Sequence, residues 1–447
     1  MRTVSPRSGP PPLPVSSRLT KKLIHPDHDE RLFPVLFSPD GQSILATSLS
    51  SQRLQIWNAN TDEQIRTLQL PKRSSSNGTF TSGGPGMLSP DGRTLYVPFA
   101  KYRFLPIRKD GKLIHHCETE GEILVWDMAT GRQLPALKQS PPHGVLNVRV
   151  SPDGATLLVG DIVGDDAARG YRKNCLTRWN PRTGEHQHLL DGWSNPLAPV
   201  FAPDGKTFAL SLYDIRAISP NSFKSRGKLI LCDAASGKER LVIAQTDNGR
   251  VGVTNFSRDG RYLAGIQEDL RAAKPPPPEV KLWDVATGKE VGAIVAPEGT
   301  TAFRRPGQIL GAFAAPVFSP DGRWLATCLR TGRIYLYDVA GRKLAWSQDV
   351  KNGYLRGVRF SPDGRWLVAL GQDTPEDLKA TEEVSPFDLP QPRIFLFDMK
   401  KGGKPEEIVA PHGQIIWFDF SPDSKTIALS GTGCVWLFDV SRPATRK

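Results

Sequence analysis

A four-residue turn signature, Ser-Pro-Asp-Gly, recurs along the chain and limits what it can fold into. It stands at Ser38–Gly41, Ser89–Gly92, Ser151–Gly154, Ser319–Gly322 and Ser361–Gly364. Near-copies at Ala202–Gly205 (APDG), Ser257–Gly260 (SRDG) and Ser421–Ser424 (SPDS) bring the number to eight. Successive aspartates lie from 42 residues apart (Asp321 to Asp363) to 62 (Asp91 to Asp153). A supersecondary unit repeated at such a period cannot bury its own apolar face, so neighbouring units must stack.

Each copy has the same flanks. Before it runs a short apolar stretch ending at Phe37, Val150, Phe201, Phe256, Phe318, Phe360 or Phe420. After it comes a second, such as SILATS, TLLVG or WLATC. Asp-Gly between two such runs predicts a β-hairpin, expected as a type I′ turn with positive φ at both central residues. A third run ends in an aromatic: Trp57, Trp126, Trp179, Trp283, Tyr337, Phe397 and Phe438, with Cys232 in that place in the fourth unit. A turn such as MATG, PRTG or VATG and a fourth strand follow. Four antiparallel strands per unit predict the blades of an all-β propeller.

The ends bear on the count. The eighth unit stops after its third strand, VWLFDV, while the segment before the first unit reads as a lone strand over Leu19–Ile24. If Leu19–Ile24 supplies the missing outer strand of the last blade, the ring closes at eight and no edge is left bare. Seven blades plus an irregular unit is the alternative. The expected organisation is a Pro-rich tail over 1–17, one propeller over 18–440 and a basic tail over 441–447.

The unit FSPDG…LA…I.LWD..TG resembles the WD40-repeat family over nearly the whole chain, from Arg18 to Val440. The resemblance implies a non-catalytic scaffold that binds protein partners, works as a monomer and needs no cofactor. One departure concerns the family's Gly-His pair, for which only His143 and His412, each followed by Gly, stand nearby. The family's His–Ser–Asp–Trp network is therefore not expected, and apolar stacking should hold the blades.

Charge bears on the choice of partner. Of the net charge of +12, +5 falls in residues 1–22 and +3 in Arg442, Arg446 and Lys447, leaving +4 for the body. A nucleic-acid footprint concentrates charge on a folded face instead, so polyanion binding is the second reading and protein binding the first. No apolar run reaches the roughly 18 residues of a membrane helix, and the N-terminus has no apolar core of a secretory signal; the expectation is a cytoplasmic protein. The five cysteines are scattered and mostly in apolar strands, which favours buried free thiols.

Function should sit on the face carrying the second–third strand loops, because that is where the units grow. A tight unit needs about 15 residues from turn glycine to strand aromatic, as Gly322 to Tyr337 shows; unit two takes 34 (Gly92 to Trp126) and unit seven 33 (Gly364 to Phe397). Units three, four and five are also enlarged. The insertions of units two to four are basic, with Tyr102, Arg103 and Arg108 as candidate contacts, while that of unit seven is acidic. At the channel mouth the starts of inner strands offer Arg31, Phe33, Trp193, Arg250, Tyr354, Arg356 and Trp417, residue types that anchor interfaces. No catalytic, cofactor or metal site is assigned. His115-His116-Cys117 has no completing cluster, Asp161, Asp165 and Asp166 lack a calcium-loop pattern, and the Ser-Pro-Asp-Gly serines are turns and not nucleophiles. A propeller lactonase would need carboxylates converging on the axis, where aromatic and basic residues stand instead.

Overall fold

The computed structural model describes residues 18–24, 32–48, 53–70, 75–76, 79–83, 86–109, 112–139, 143–166, 171–193, 199–219, 222–247, 249–269, 277–297, 303–305, 308–310, 314–350, 353–373, 392–409 and 417–441. Within these the chain forms eight antiparallel sheets of blade type. Blade 1 shows the plain unit, strands Leu32–Phe37, Ser43–Ser48, Arg53–Asn58 and Gln64–Gln69 hydrogen-bonded in sequence order. First strands of neighbouring blades lie alongside one another, blade 5 beside blade 6 and blade 8 beside blade 1, which puts them nearest the axis.

The eighth blade is completed from the other end of the chain. Trp417–Phe420, Thr426–Ser430 and Cys434–Asp439 supply three strands, and Leu19–Ile24 pairs antiparallel to the last, Leu19 opposite Phe438 and Ile24 opposite Cys434. Arg18 locks the clasp sideways. Its guanidinium donates to both Glu406 carboxylate oxygens at 2.6 and 2.7 Å and to the Asp439 carbonyl at 3.0 Å. The ring is closed at eight.

Each seam between blades holds one apolar cluster. Leu23, Val435 and Leu437 of blade 8 meet Leu32, Val35 and Trp57 of blade 1. Tyr96, Ile123 and Val125 of blade 2 meet Val145, Leu157 and Trp179 of blade 3. The eight third-strand positions picked out by the repeat, Cys232 included, are all buried. Large side chains at one register position of every blade fill the wedge between sheets.

The repeated turn differs from the expected type. Only the glycine (or Ser424) has positive φ, 71° at Gly41 and 63° at Ser424, and its N–H bonds the carbonyl three residues back, at 2.8 Å from Gly41 to Ser38. This is a type I turn followed by a left-handed residue. Proline at the second position holds φ near −65° and so rules out the mirror-image turn. In the seven copies with serine, its hydroxyl donates to the aspartate two residues on, as Ser151 does to Asp153 at 2.5 Å, and accepts the N–H five residues on, as from Thr156 at 2.9 Å. That bonding draws the Asp40, Asp91, Asp153 and Asp259 carboxyls below their ordinary range, the serine hydroxyl being the largest cause.

Candidate functional site

The insertions of units two to four are not loops. They are continuations of the second and third strands of their blades. In blade 2 these strands are Thr94–Lys109 and Lys112–Asp127, each 16 residues, against 6 in blade 1. The ladder is unbroken from Thr94 opposite Asp127 to Lys109 opposite Lys112. Ten extra residues per strand at about 3.3 Å each carry the hairpin about 30 Å beyond a plain blade. Thr79–Gly83 pairs with Phe99–Arg103 and adds a third strand at its base. Blade 3 extends through Leu157–Asp166 and Tyr171–Trp179, blade 4 through Thr207–Ser219 and Ser222–Asp233. All three are second–third strand hairpins, so they leave the ring on the same side, from adjacent blades.

Cross-strand pairing offsets part of their basic charge. Lys101 bonds Glu120 at 3.4 Å, Arg226 lies 3.5 Å from Asp247 and Lys228 bonds Glu239 at 2.7 Å. Arg103 is exposed, with Glu118 opposite on the next strand. Tyr102 and Arg108 lie in the same strand, opposite Thr119 and Leu113, but their side chains, like those of His115, His116 and Cys117, are outside the described residues.

The channel-mouth candidates separate into three cases. Arg250 on the first strand of blade 5 is committed to Glu268, opposite it on the second strand, at 2.6 Å; Glu268 is 2% exposed. A buried carboxylate needs that cation, so Arg250 reads as a structural ion pair. Trp417 on the first strand of blade 8 has the Arg359 guanidinium 5.0 Å from its ring centre. Arg359 in turn bonds Asp419 at 2.9 Å, and Asp419 accepts the Phe37 N–H at 3.1 Å, so blades 7, 8 and 1 are tied at the axis. Burial pushes the Asp419 carboxyl up, with the Arg359 charge acting the other way. Arg356 is half-buried on the first strand of blade 7, which also carries Tyr354.

Trp193 is placed elsewhere than expected. It ends the outer strand of blade 3, His186–Trp193, opposite Asn174, and opens no inner strand. The inner strand of blade 4 is only Val200–Phe201; the longer third strand of blade 3 gave the fourth strand more to pair with. Phe33 lies in the first strand of blade 1. Arg31, the acidic segment 374–391 and the side chains of Phe33, Trp193 and Tyr354 are outside the described residues.

One polar cluster escaped the sequence reading. In blade 3, Trp179 Nε1 donates to Thr177 Oγ1 at 3.0 Å, and that hydroxyl donates to Asp161 Oδ2 at 2.7 Å. Cys175 Sγ lies 3.9 Å from the same oxygen and 3.8 Å from His143 Nδ1. Burial pushes the Asp161 carboxyl up to about 7 against the Thr177, Gln139 and Cys175 hydrogen bonds. Blade 3 thus holds a Trp–Thr–Asp chain, with Cys175 standing between the aspartate and His143, where no such network was expected. The three residues His143, Asp161 and Cys175 are far apart in the chain, and only strand pairing aligns them: Asp161 stands opposite both Val145 and Cys175.

A closed ring of eight four-stranded blades, first strands at the axis and an outer clasp from the N-terminal segment, defines an eight-bladed β-propeller. Residues 311–338 match the family profile described as WD40, "WD domain, G-beta repeat". The crystal structure of the C-terminal WD40 domain of Sif2 is similar at a TM-score of 0.59, covering 95% of this chain and 98% of that one at 13% identity; that likeness concerns the fold. No curated protein matches the sequence. Among the described residues no helix is long and apolar enough to cross a membrane.

Proposed function

We propose that this propeller is a non-catalytic scaffold whose protein partner docks on the side of the ring from which the hairpins of blades 2, 3 and 4 project. The observation that carries the reading is the blade 2 hairpin, two unbroken 16-residue strands where the fold needs 6. Residues beyond the ring add nothing to its seams, and a rigid projecting ladder on a fixed scaffold suits recognition. In blade 7 an acidic stretch of sequence likewise joins the second and third strands, Trp366–Asp373 and Pro392–Asp398, and a partner of uneven charge would be oriented on approach.

The second reading, polyanion binding, is weakened by the acids that face the hairpin cations. Cytoplasmic location and a monomeric state are parts of the same proposal. The register supplies a clean test. Ala100 stands opposite Gly121, so residues 101–120 can be replaced by a two-residue turn that keeps the ladder of the plain blade, losing only the pairing of Thr79–Thr81 with Lys101–Arg103. Partners captured by the intact protein should be lost by the shortened one and retained by a version with only the segment 1–17 removed. Capture of an unchanged set at unchanged strength sinks the docking side; binding that collapses between low and high salt for both versions favours the polyanion.

A further inference from the structure

We propose that His143, Asp161 and Cys175 bind one transition-metal ion of the zinc class at the seam between blades 2 and 3. The inference is independent of which side of the ring docks a partner. An imidazole nitrogen, a carboxylate oxygen and a thiol sulfur from these residues lie within 4.8 Å of one another. Sγ to Nδ1 is 3.8 Å and Sγ to Oδ2 is 3.9 Å. Donors at zinc bond lengths in a tetrahedral arrangement stand roughly 3.5 Å apart, so the two sulfur contacts need a few tenths of an ångström of closure, and no pair of donors is more than 4.8 Å apart.

The donor types choose the metal. One thiolate and one imidazole beside a single carboxylate suit zinc or cobalt, whereas calcium and magnesium require mostly oxygen. The cluster also looks unfinished without a cation. Asp161 is 0% exposed, no salt bridge reaches it among the described residues, and its Oδ1 meets no hydrogen bond of normal length and angle, the buried Gln139 amide being the one further donor beside the carboxyl. A bare buried carboxylate oxygen is costly unless a positive charge meets it.

The surroundings behave as an outer shell. The Trp179-to-Thr177-to-Asp161 relay fixes the carboxylate, as hydrogen-bonded carboxylates do around metal sites, and leaves its remaining lone pairs for the ion. The backbone is held as firmly. A Cβ at Gly121 on the third strand of blade 2 would meet the His143 carbonyl at 2.5 Å, so the foot of the long hairpin rests directly on the histidine segment. On binding, the Cys175 thiol releases its proton to solvent and coordinates as thiolate. A metal here would pin the base of the projecting hairpin to the next blade.

The test is cobalt titration of the full-length, chelator-stripped protein. One equivalent of Co2+ should produce the near-ultraviolet thiolate-to-cobalt band and the visible bands of a tetrahedral ion, and zinc should bleach both. Cys175→Ser should abolish the thiolate band. Asp161→Asn should weaken Co2+ at least tenfold, with circular dichroism reporting whether the fold survives. Cys117→Ser, in the His115-His116-Cys117 stretch, should change nothing. A wild-type protein without a thiolate band, a band that survives Cys175→Ser, or one lost in Cys117→Ser overturns the proposal. If Asp161→Asn fails to fold, the wild-type and Cys175→Ser spectra still decide.

Discussion

Leu23 and Ile24 are neighbours on the clasp strand with opposite fates, and that makes the ring closure measurable. Leu23 is 1% exposed and packs with Leu32, Val35, Val435 and Leu437 across the seam between blades 8 and 1. Ile24 is 51% exposed. Truncating a buried leucine to alanine removes its transfer energy and leaves a cavity, together about 3 kcal/mol. Truncating Ile24 removes little burial and should cost about 1 kcal/mol or less, mostly strand propensity. Unfolding entropy near 2.1 cal/mol/K per residue makes each kcal/mol worth about 1 °C in a cooperative unit of 447 residues. Leu23→Ala should therefore lower the melting temperature by about 3 °C and Ile24→Ala by about 1 °C at most, by calorimetry at matched concentration. Limited proteolysis should also cut the Leu23→Ala protein faster near its N-terminus, since the outer strand is held by that seam. Equal shifts for the two variants would refute the clasp as a stability element.

Four further outcomes follow from the same structure. Gly121→Ala places a Cβ 2.5 Å from both the His143 carbonyl and the Val145 nitrogen, fixed backbone atoms, and should cost about 1–3 kcal/mol; Gly357→Ala, with nothing within 4 Å, should be close to neutral, and equal urea midpoints would contradict the close approach. Arg18→Ala should destabilise by about 1–2 kcal/mol, and a double-mutant cycle with Glu406→Ala should show coupling of about 1 kcal/mol, because the pair is bidentate but Glu406 is partly solvated; zero coupling denies the lock. The Asp153 carboxyl is drawn below its ordinary value by the Ser151 hydroxyl, so its contribution is full above the unfolded pKa near 4 and is lost as pH falls through the lower folded one. Ser151→Ala should then cost more at pH 6 than at pH 3 in urea titrations, and an equal cost at both refutes the assignment. Burial pushes the Cys232 and Cys328 thiols up to about 12 and Cys434 up to about 11. Mass mapping after a thiol reagent at pH 8 should find all three unlabelled in the native protein and labelled in urea; native labelling would mean the strands open.

Much of this was legible because propeller blades repeat their local rules. The turn signature marks eight hairpins, the third-strand aromatic marks eight wedges, and a strand missing at one end with a spare at the other implies the clasp. What failed, failed for physical reasons. The turn type was misread because Asp-Gly was weighed without the proline before it, which forbids the mirror-image turn. The blade 2 insertion forms a hairpin and not a loop because Asp110-Gly111 sits between runs that can pair, the same hairpin signal as at the repeated turns. Trp193 was misplaced because strand ends depend on how far the partner strand runs, and a lengthened third strand in blade 3 carried its neighbour along.

The metal-capable cluster was illegible for a deeper reason. Motif spacing detects ligands that share a turn or a helix, whereas a β-sheet brings ligands together across strands, at separations set by hairpin length. Asp161 and Cys175 are opposite because the blade 3 hairpin between them pairs in one particular register, with an irregularity between Ile162 and Gly164. Had that register slipped by one residue, Cys175 would face the blade 4 seam and Leu176 would meet the carboxylate. The buried polar cluster and the length of the hairpin are thus set by one pairing. A change that slides the blade 3 hairpin should therefore disturb both together, while one confined to its tip should leave His143, Asp161 and Cys175 in place.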